Sequence, residues 1–291
     1  MVLKYYPCAI CGADAFSPLY KVKGFDIVQC TACTFVCVNP RIPNSSLYAM
    51  YAANYFNDGH DGYGYEDYEL TAHLRIKTFN RWLQSIRPYL SHQKGPVLDI
   101  GCASGFFIDL LHQDHWDVEA IELDKHMVEK VRQKGFQVFD KPFEQFTSAK
   151  KYKLITMFDV LEHIPDLSTT FSKFEQLLDD DGIVVLITPD FDSRQRKIFG
   201  KRWFQFKPKE HIQYFSPRTL QWALERHHLE MVSCTSAGQY ADTGFLLDRL
   251  HRYGFLRLHR FANLAINLLG LRNTYWYLDT GSLFAVIRKK K

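Results

Sequence analysis

One segment of the chain, VLDIGCASGFF at residues 97–107, places a carboxylate directly before a glycine-rich turn. Asp99 ends an apolar run and is followed by Gly101 and Gly105. Ala103 and a phenylalanine stand where the dinucleotide-binding pattern GxGxxG has its second and third glycines. A carboxylate at this place would repel a pyrophosphate and attract a ligand that carries ammonium and sulfonium groups. The segment therefore predicts a site for a cationic ligand.

Four cysteines form two CxxC pairs near the start of the chain. The segments CAIC and CTAC contain Cys8, Cys11, Cys30 and Cys33, with 18 residues between the pairs. Each pair lets a tight turn aim two thiolates at one ion, and four thiolates suit tetrahedral zinc. Disulfides of a secreted protein are the alternative, which the odd total of seven cysteines and the lack of a signal-peptide pattern disfavour. We expect a structural zinc ion.

His211 is the best candidate for a general base. An ordinary histidine pKa of about 6.5 allows it to accept a proton near neutral pH, and the neighbouring Glu210 could orient it. The alternative is a structural histidine that only forms hydrogen bonds within its loop. His163, in the segment LEHIP, is expected to be structural, while Glu162 beside it fits either role.

Alternating strands and helices must position these residues. From Val97 onwards, apolar runs such as PVLDIG, YKLITMF and GIVVLIT alternate with helical segments such as KHMVEKVRQKG. This alternation predicts an α/β fold, a parallel sheet with helices on both faces. Ligands of such sheets bind at the carboxyl ends of the strands, which is where the glycine turn lies.

We predict three regions along the chain. Residues 1–40 form a zinc ribbon, residues 41–94 a linker with a helical region, and residues 95–291 the ligand-binding core. The core carries a helical insert at about residues 239–280, rich in leucine, arginine and histidine. Apolar stripes on helices usually face a core, so we expect the insert to cover the ligand pocket or an oligomer contact. Its basic amphipathic character makes a membrane surface the alternative.

Composition bounds the class of protein. The 291 residues are 46% hydrophobic, and their formal net charge of +4 is too small to indicate a nucleic-acid partner by itself. No run of about 18 uncharged apolar residues is present to span a bilayer. We expect a cytoplasmic globular protein.

The glycine-turn segment resembles the first motif of class I S-adenosylmethionine-dependent methyltransferases. The segment IELD is similar to the part of that family that binds the ribose hydroxyls and the adenine, and FDVLEHIPD resembles its segment beside the methionine end of the cofactor. The resemblance implies a Rossmann-like, doubly wound, mostly parallel seven-stranded sheet that binds S-adenosylmethionine. The cofactor-binding residues that it implies are Asp99, Gly101, Cys102, Ala103, Gly105, Glu122, Leu123, Phe158 and Asp159.

The cysteine pattern and the segment KEHIQYFS together resemble bacterial methyltransferases that carry an N-terminal zinc-binding domain, including sugar C-methyltransferases. Those enzymes share an EHxxYFS stretch in which the histidine is assigned as general base. The resemblance therefore implies that His211 is the base and that Glu210 and Tyr214 belong to the same catalytic stretch. Immediately upstream this sequence reads KPKEH, which departs from the YHEH form of those enzymes.

Residues 190–210 form a loop that interleaves seven basic residues with five aromatic ones. Its arginines could bind a diphosphate while the aromatics flank a sugar or a base, which would suit a nucleotide-activated sugar. A solvated charged face with its aromatics in the core is an equally good interpretation.

These observations predict methyl transfer to a small-molecule acceptor: a sugar, a nucleotide sugar or a related secondary metabolite, with phosphorylated acceptors included. A lipid-linked acceptor is one alternative. A nucleic-acid methyltransferase that binds through the ribbon is another, disfavoured by the segment FDVLEH and by a ribbon with few basic residues. A non-catalytic binding protein is the third, and the intact cofactor motifs disfavour it.

Overall fold

The computed structural model describes residues 2–52, 71–90, 94–244, 246–247, 256–271 and 274–290. Two sheets organise them. The smaller sheet is antiparallel and consists, in spatial order, of β1 (Phe16–Val22), β2 (Phe25–Cys30), β3 (Val36–Val38) and β9 (Gln213–Tyr214). Strand β9 comes from far along the chain and pairs Tyr214 with Val36. The N-terminal region is therefore joined by backbone hydrogen bonds to the segment that directly follows His211.

The larger sheet has seven strands in the order β10-β11-β8-β7-β4-β5-β6. Six of them run in the same direction, and β11 runs antiparallel to both of its neighbours. The predicted Rossmann-like sheet is therefore confirmed. Its strands are β4 (Pro96–Ile100), β5 (Asp117–Ile121), β6 (Gln137–Phe139), β7 (Tyr152–Phe158), β8 (Leu178–Pro189), β10 (Leu229–Asp242) and β11 (Tyr275–Lys289).

Helices cover both faces of this sheet and bury two separate apolar clusters against it. Local capping sets several of their starts: the Asp124 carboxylate accepts two backbone N–H groups of α4, and Ser216 forms a capping box with Thr219 in α7. The helices are α1 (Asn44–Ala52), α2 (Ala72–Ile86), α3 (Phe106–Gln113), α4 (Lys125–Gln133), α5 (Leu167–Leu177), α6 (Arg194–Phe199), α7 (Pro217–Glu225) and α8 (Leu256–Leu268).

The insert predicted at about residues 239–280 is shorter in the structure, because its two flanking strands are longer than the apolar runs indicate. Strand β10 continues to Asp242 and β11 begins at Tyr275, and these two residues are paired. Packing supports the extension: the Trp82 indole of α2 donates a 2.9 Å hydrogen bond to the Gly238 carbonyl of β10. Helix α8 is the part of the insert that the structure describes at length. Among the described residues, no helix has the length and hydropathy needed to cross a membrane.

Candidate active site

Asp99 is a buried carboxylate in the next-to-last position of strand β4. Its side chain is 3% exposed and accepts a 2.6 Å hydrogen bond from the Thr156 hydroxyl of the adjacent strand β7. Burial raises the pKa of Asp99 to about 7, although the Thr156 hydrogen bond opposes the rise. An ionised carboxylate in such surroundings is stabilised by a cation, as the sequence predicts.

The two glycines of the turn that follows leave no room for a side chain at their positions. Gly101 has φ of 79°, and a Cβ placed there would lie 2.4 Å from a methyl carbon of Val160. Gly105, with φ of 84°, is the N-cap of α3, and a Cβ there would come within 3.2 Å of Ile108. Backbone therefore lines this edge of the sheet, which lets a ligand approach it closely.

Glu122 follows β5 and holds the turn in place. Its carboxylate accepts backbone hydrogen bonds of 2.8 Å from Ala103, 2.7 Å from Leu123 and 2.9 Å from Asp124. Oε1 accepts two of these bonds and Oε2 accepts one. Each carboxylate oxygen has two lone pairs, so Oε2 keeps capacity for a further donor such as a ribose hydroxyl. Burial raises the pKa of Glu122, while these three N–H groups lower it. Glu122 thus connects the ends of β4 and β5 in addition to its predicted contact with the cofactor.

The remaining predicted cofactor residues lie at the same edge. Leu123 is half-buried beside Glu122, and the buried Cys102 thiol lies in the glycine turn, where burial raises its pKa. Asp159 follows β7 with φ of 52°, and burial raises its pKa to about 6. Phe158 packs its ring 5.0 Å from that of Phe107 and also contacts two aromatic rings of α2, so part of its surface is used in packing.

Two histidines meet beyond the carboxyl ends of β7 and β8. The ring centroids of His163 and His211 are 4.8 Å apart in an edge-to-face arrangement. The Nδ1 of His211 lies 2.9 Å from the Gln205 carbonyl, an acceptor only, so Nδ1 carries the hydrogen and Nε2 keeps the lone pair of a neutral ring. The Nδ1 of His163 lies 3.0 Å from the Glu210 carbonyl and 2.6 Å from the Tyr51 hydroxyl.

The prediction that His211 has an ordinary histidine pKa is wrong. Burial, the neighbouring His163 and the Lys207 ammonium lower the pKa of His211 well below its usual value, and burial lowers the pKa of His163 to about 4. Both rings are therefore neutral near pH 7. In the neutral ring the lone pair of His211 Nε2 is available to accept a proton near pH 7.

Glu162 completes this polar cluster. One of its carboxylate oxygens accepts a 2.9 Å hydrogen bond from Thr188, and the other is buried with no hydrogen-bond partner among the described residues. Burial and the charge of Asp159 raise the pKa of Glu162 well above its usual range. Donor atoms of Glu162, His163 and His211 lie within 4.8 Å of one another, a spacing that a metal ion could use. The Lys207 charge acts on all three groups and disfavours a dication at this position.

The other two predicted catalytic residues are buried in the same region. Glu210 is fully buried next to His211, and Tyr214 lies in β9, where its ring packs 5.1 Å from that of Phe206. The Tyr214 hydroxyl is buried without a hydrogen-bond partner among the described residues, and burial together with the charges of Glu162 and Glu210 raises its pKa. Thr156 and Thr188 were not singled out by sequence reasoning, and Lys207 was predicted only as one of the seven basic residues of the loop at residues 190–210. A threonine inside the apolar run KLITMF was the one signal that could have identified Thr156.

Residues 190–210 partly match each of the two interpretations, a surface that binds a diphosphate and a charged face with its aromatics packed in the core. Trp203 and Phe206 are buried against the N-terminal sheet, as the packing interpretation requires. Phe199 and Phe204 are exposed, as are the basic residues Arg194, Lys197, Lys201 and Arg202. Aromatic and cationic groups at the surface therefore remain available to an acceptor.

The four cysteines converge as predicted. The Sγ atoms of Cys8 and Cys33 are 3.5 Å apart, as are those of Cys11 and Cys30, and all four lie within 4.8 Å of one another. Tetrahedral zinc with Zn–S bonds of about 2.3 Å requires Sγ atoms about 3.8 Å apart, which these distances approximate. The donor set and the spacing fit a tetrahedral metal ion.

Comparisons with known proteins agree with this geometry. The chain is 24% identical over 213 residues to the malonyl-[acyl-carrier protein] O-methyltransferase of Hamiltonella defensa, which covers 66% of this chain and 74% of the relative. It is 27% identical over 115 residues to the ubiquinone biosynthesis O-methyltransferase of Bordetella avium, covering 37% of this chain and 47% of that relative. This second match thus spans about half the length of that relative.

Solved structures share the fold. One is the 1,6-didemethyltoxoflavin-N1-methyltransferase of Burkholderia thailandensis, solved with S-adenosylhomocysteine. Its TM-score is 0.54 at 14% identity, and the match covers 94% of this chain and 100% of that chain. A methyltransferase of Archaeoglobus fulgidus has a TM-score of 0.51 at 19% identity and covers 76% of this chain and 98% of that one. Residues 71–234 match the family model described as a methyltransferase domain. The chain therefore belongs to the family of class I S-adenosylmethionine-dependent methyltransferases.

Proposed function

We propose that this enzyme methylates a small hydroxylated acceptor, a sugar or a nucleotide sugar, and that His211 accepts the acceptor's proton. The observation that carries the proposal is the neutral His211, whose Nε2 is left without its proton by the hydrogen bond from Nδ1 to Gln205. His211 lies at the same edge of the sheet, formed by the carboxyl ends of the parallel strands, as Asp99, Glu122 and the glycine turn.

The residues at the sheet edge fit the cofactor that the family implies. The cradle between Gly101 and Val160 admits no Cβ, and the buried Asp99 carboxylate calls for a cation. Asp99 would hold the ammonium group of S-adenosylmethionine, and Oε2 of Glu122 would accept a ribose hydroxyl. Cys102, Ala103, Leu123, Phe158 and Asp159 would surround the cofactor. When bound, S-adenosylmethionine supplies a methyl group that its sulfonium already activates, so the chain's own residues mainly position and deprotonate the acceptor.

Proton removal is the task of the histidine cluster. His211 Nε2 would take the proton of an acceptor hydroxyl as that oxygen bonds to the methyl group and the bond between the methyl group and sulfur breaks. The Glu162 oxygen that has no partner among the described residues would accept a hydrogen bond from the protonated ring. Tyr214 and Glu210 would support this site from β9 and from the loop before it. The exposed arginines and aromatics of residues 190–210 support an acceptor that carries a diphosphate.

Acceptor identity can be tested directly. The purified enzyme would be incubated with S-adenosylmethionine and either nucleotide sugars or the corresponding free sugars, and products would be identified by mass spectrometry. We expect a mass gain of one methylene group on a nucleotide sugar and little product from the free sugar, since only the former offers phosphates to the basic loop. Methylation of neither class, while a phenolic or acyl acceptor is methylated, would contradict the proposed acceptor.

We also propose that the cysteine cluster holds a structural zinc ion. Four thiolates close the coordination shell and leave no position for a substrate. The cluster also contributes to the main core, because Cys8 and Cys30 pack with Phe35, whose ring lies 5.1 Å from that of Phe215. Zinc would thus stabilise β3 and, through it, the β9 segment that follows His211.

Zinc removal should therefore impair catalysis as well as stability. We expect Cys30→Ser to abolish zinc binding, to lower the melting temperature by roughly 10 °C and to reduce turnover. Cys234→Ser is the matched control, because this half-buried cysteine lies outside the cluster in β10 and should leave zinc content unchanged. Zinc measured by plasma mass spectrometry at the wild-type level in Cys30→Ser would refute the assignment.

A further inference from the structure

We propose that helix α8 docks the enzyme on an anionic lipid surface. Helix α8 presents its apolar side chains outward. Leu258, Phe261, Leu264 and Leu268 recur at spacings of three and four residues, and all of them are exposed; Phe261 is 73% and Leu268 78% accessible. The half-buried residues Ala262 and Ile266 lie on the opposite face. An outward apolar stripe is the arrangement of a helix that lies on a partner surface.

Positive charge is concentrated in the same segment. Residues 243–274 contain five arginines and a single aspartate. Of the 36 basic and 32 acidic residues in the chain, 31 of each therefore lie elsewhere, so this segment accounts for the whole formal net charge of +4. Apolar and cationic residues in one stretch of the sequence form the combination that binds the interface of anionic membranes.

The positive charge of residues 243–274 also indicates which partner binds helix α8. In a symmetric dimer built on this face, two segments of like charge would meet, which is unfavourable. A nucleic acid would satisfy the arginines but would leave the outward leucines and Phe261 in contact with phosphates. An anionic bilayer surface satisfies both groups. The 13 residues of α8 extend about 20 Å, less than the roughly 30 Å of a hydrocarbon core, so the helix would lie along the surface.

The position of the insert connects docking to the active site. Strand β8 ends at Pro189, which pairs with Ser282, so residues 275–281 of β11 extend past the carboxyl end of β8. The insert starts and ends there, where Asp242 pairs with Tyr275 and the buried Thr243 hydroxyl donates to the Leu271 carbonyl. Helix α8 thus emerges from the sheet edge that carries Asp99 and Asp159. A membrane bound to it would lie at the end of the enzyme where the acceptor enters.

Vesicle co-sedimentation tests the proposal with the full-length protein. We expect binding to vesicles of phosphatidylglycerol and phosphatidylcholine in equal parts, and little binding to pure phosphatidylcholine. The double variant Phe261→Glu, Leu268→Glu should bind at least about tenfold more weakly, and Arg260→Glu, which changes two units of charge, about tenfold more weakly. The double variant Val2→Glu, Tyr5→Glu, which places the same two charges on apolar residues of the N-terminal region that are 75% and 80% exposed, should bind like the wild type.

Melting temperatures equal to that of the wild type would show that the variants are folded, and the test does not depend on methyl transfer. Equal binding to neutral and anionic vesicles, or no binding to either, would overturn the proposal. It would also be overturned if the wild type formed a dimer that Phe261→Glu dissociates, or if binding survived the apolar double variant and responded only to Arg260→Glu.

Discussion

Replacing Asp99 by asparagine should weaken S-adenosylmethionine binding by about 100-fold or more, as measured by isothermal titration calorimetry. Asparagine has the size of aspartate, and its carbonyl can still accept the hydrogen bond from Thr156. It lacks the charge that would pair with the cofactor's ammonium group in a buried site, where loss of one partner of an ion pair costs about 3 kcal/mol or more.

The pH dependence gives an independent readout of the same charge. Burial raises the pKa of Asp99 to about 7, so wild-type affinity should fall as the pH drops below about 7 and stay level above it, whereas Asp99→Asn should show no such change. Because the ionised form is the one that burial destabilises, the variant should unfold at an equal or higher temperature than the wild type above pH 7. Loss of S-adenosylmethionine binding in Asp99→Asn would then result from the missing charge and not from unfolding.

Asp117→Asn is the matched control for this substitution. Asp117 is an exposed carboxylate at the start of β5, at the opposite edge of the sheet from Asp99. The same chemical change there should leave cofactor affinity unaltered. If Asp99→Asn bound S-adenosylmethionine as tightly as Asp117→Asn does, the carboxylate would have no part in cofactor binding.

The sequence predicted the sheet and the cofactor edge because both depend on local patterns. Apolar runs alternate with helical segments, and an acid followed by glycines marks one strand end. The partner of Asp99 was not predictable in the same way. Thr156 lies opposite Asp99 only because β7 is the neighbour of β4, although 57 residues separate the two side chains along the chain. Strand order is a property of the whole sheet, so pairwise contacts across it cannot be deduced from one segment.

Electrostatic surroundings were also beyond the sequence. His211 was expected to titrate near neutrality, but its pKa depends on burial and on His163, which the chain brings beside it from 48 positions away. A sequence motif identifies the residue type at a position, but it does not give the burial or the charged neighbours that set the pKa of that residue. The same limit applies to the aromatic loop at residues 190–210, since neither composition nor spacing separates the buried Trp203 from the exposed Phe204.

The link between the cysteine region and the catalytic loop depends on a strand of two residues. Gln213 and Tyr214 pair with Cys37 and Val36, and no period of hydrophobicity can be recognised over so short a segment. The sequence therefore predicted a separate N-terminal ribbon, and its division into three regions stays a prediction. In the structure, the ribbon strands share a sheet with the segment after His211, which is why zinc loss is expected to affect turnover.

Replacing His211 by alanine should lower turnover by about 100-fold or more while leaving S-adenosylmethionine affinity unchanged. The imidazole Nε2 is the proposed proton acceptor, and the hydrogen bond from Nδ1 to the Gln205 carbonyl leaves its lone pair available. The loss should appear in kcat more than in KM, because the proton moves only as the acceptor reacts. Single-turnover kinetics with the acceptor identified by mass spectrometry would measure it.

Two further variants separate base catalysis from positioning. Glu162→Gln removes a carboxyl group that does not itself take the proton, so it should reduce turnover less than His211→Ala does. His227→Ala removes a half-buried histidine that contacts Ser172 on α5, away from the proposed site, and should leave turnover at the wild-type level. The lowered pKa of His211 predicts that wild-type kcat stays level from neutral pH down to well below the usual histidine range, since only then would Nε2 become protonated. A kcat that falls with a midpoint near the ordinary histidine pKa, or a His211→Ala enzyme within about threefold of the wild type, would assign proton removal to another group.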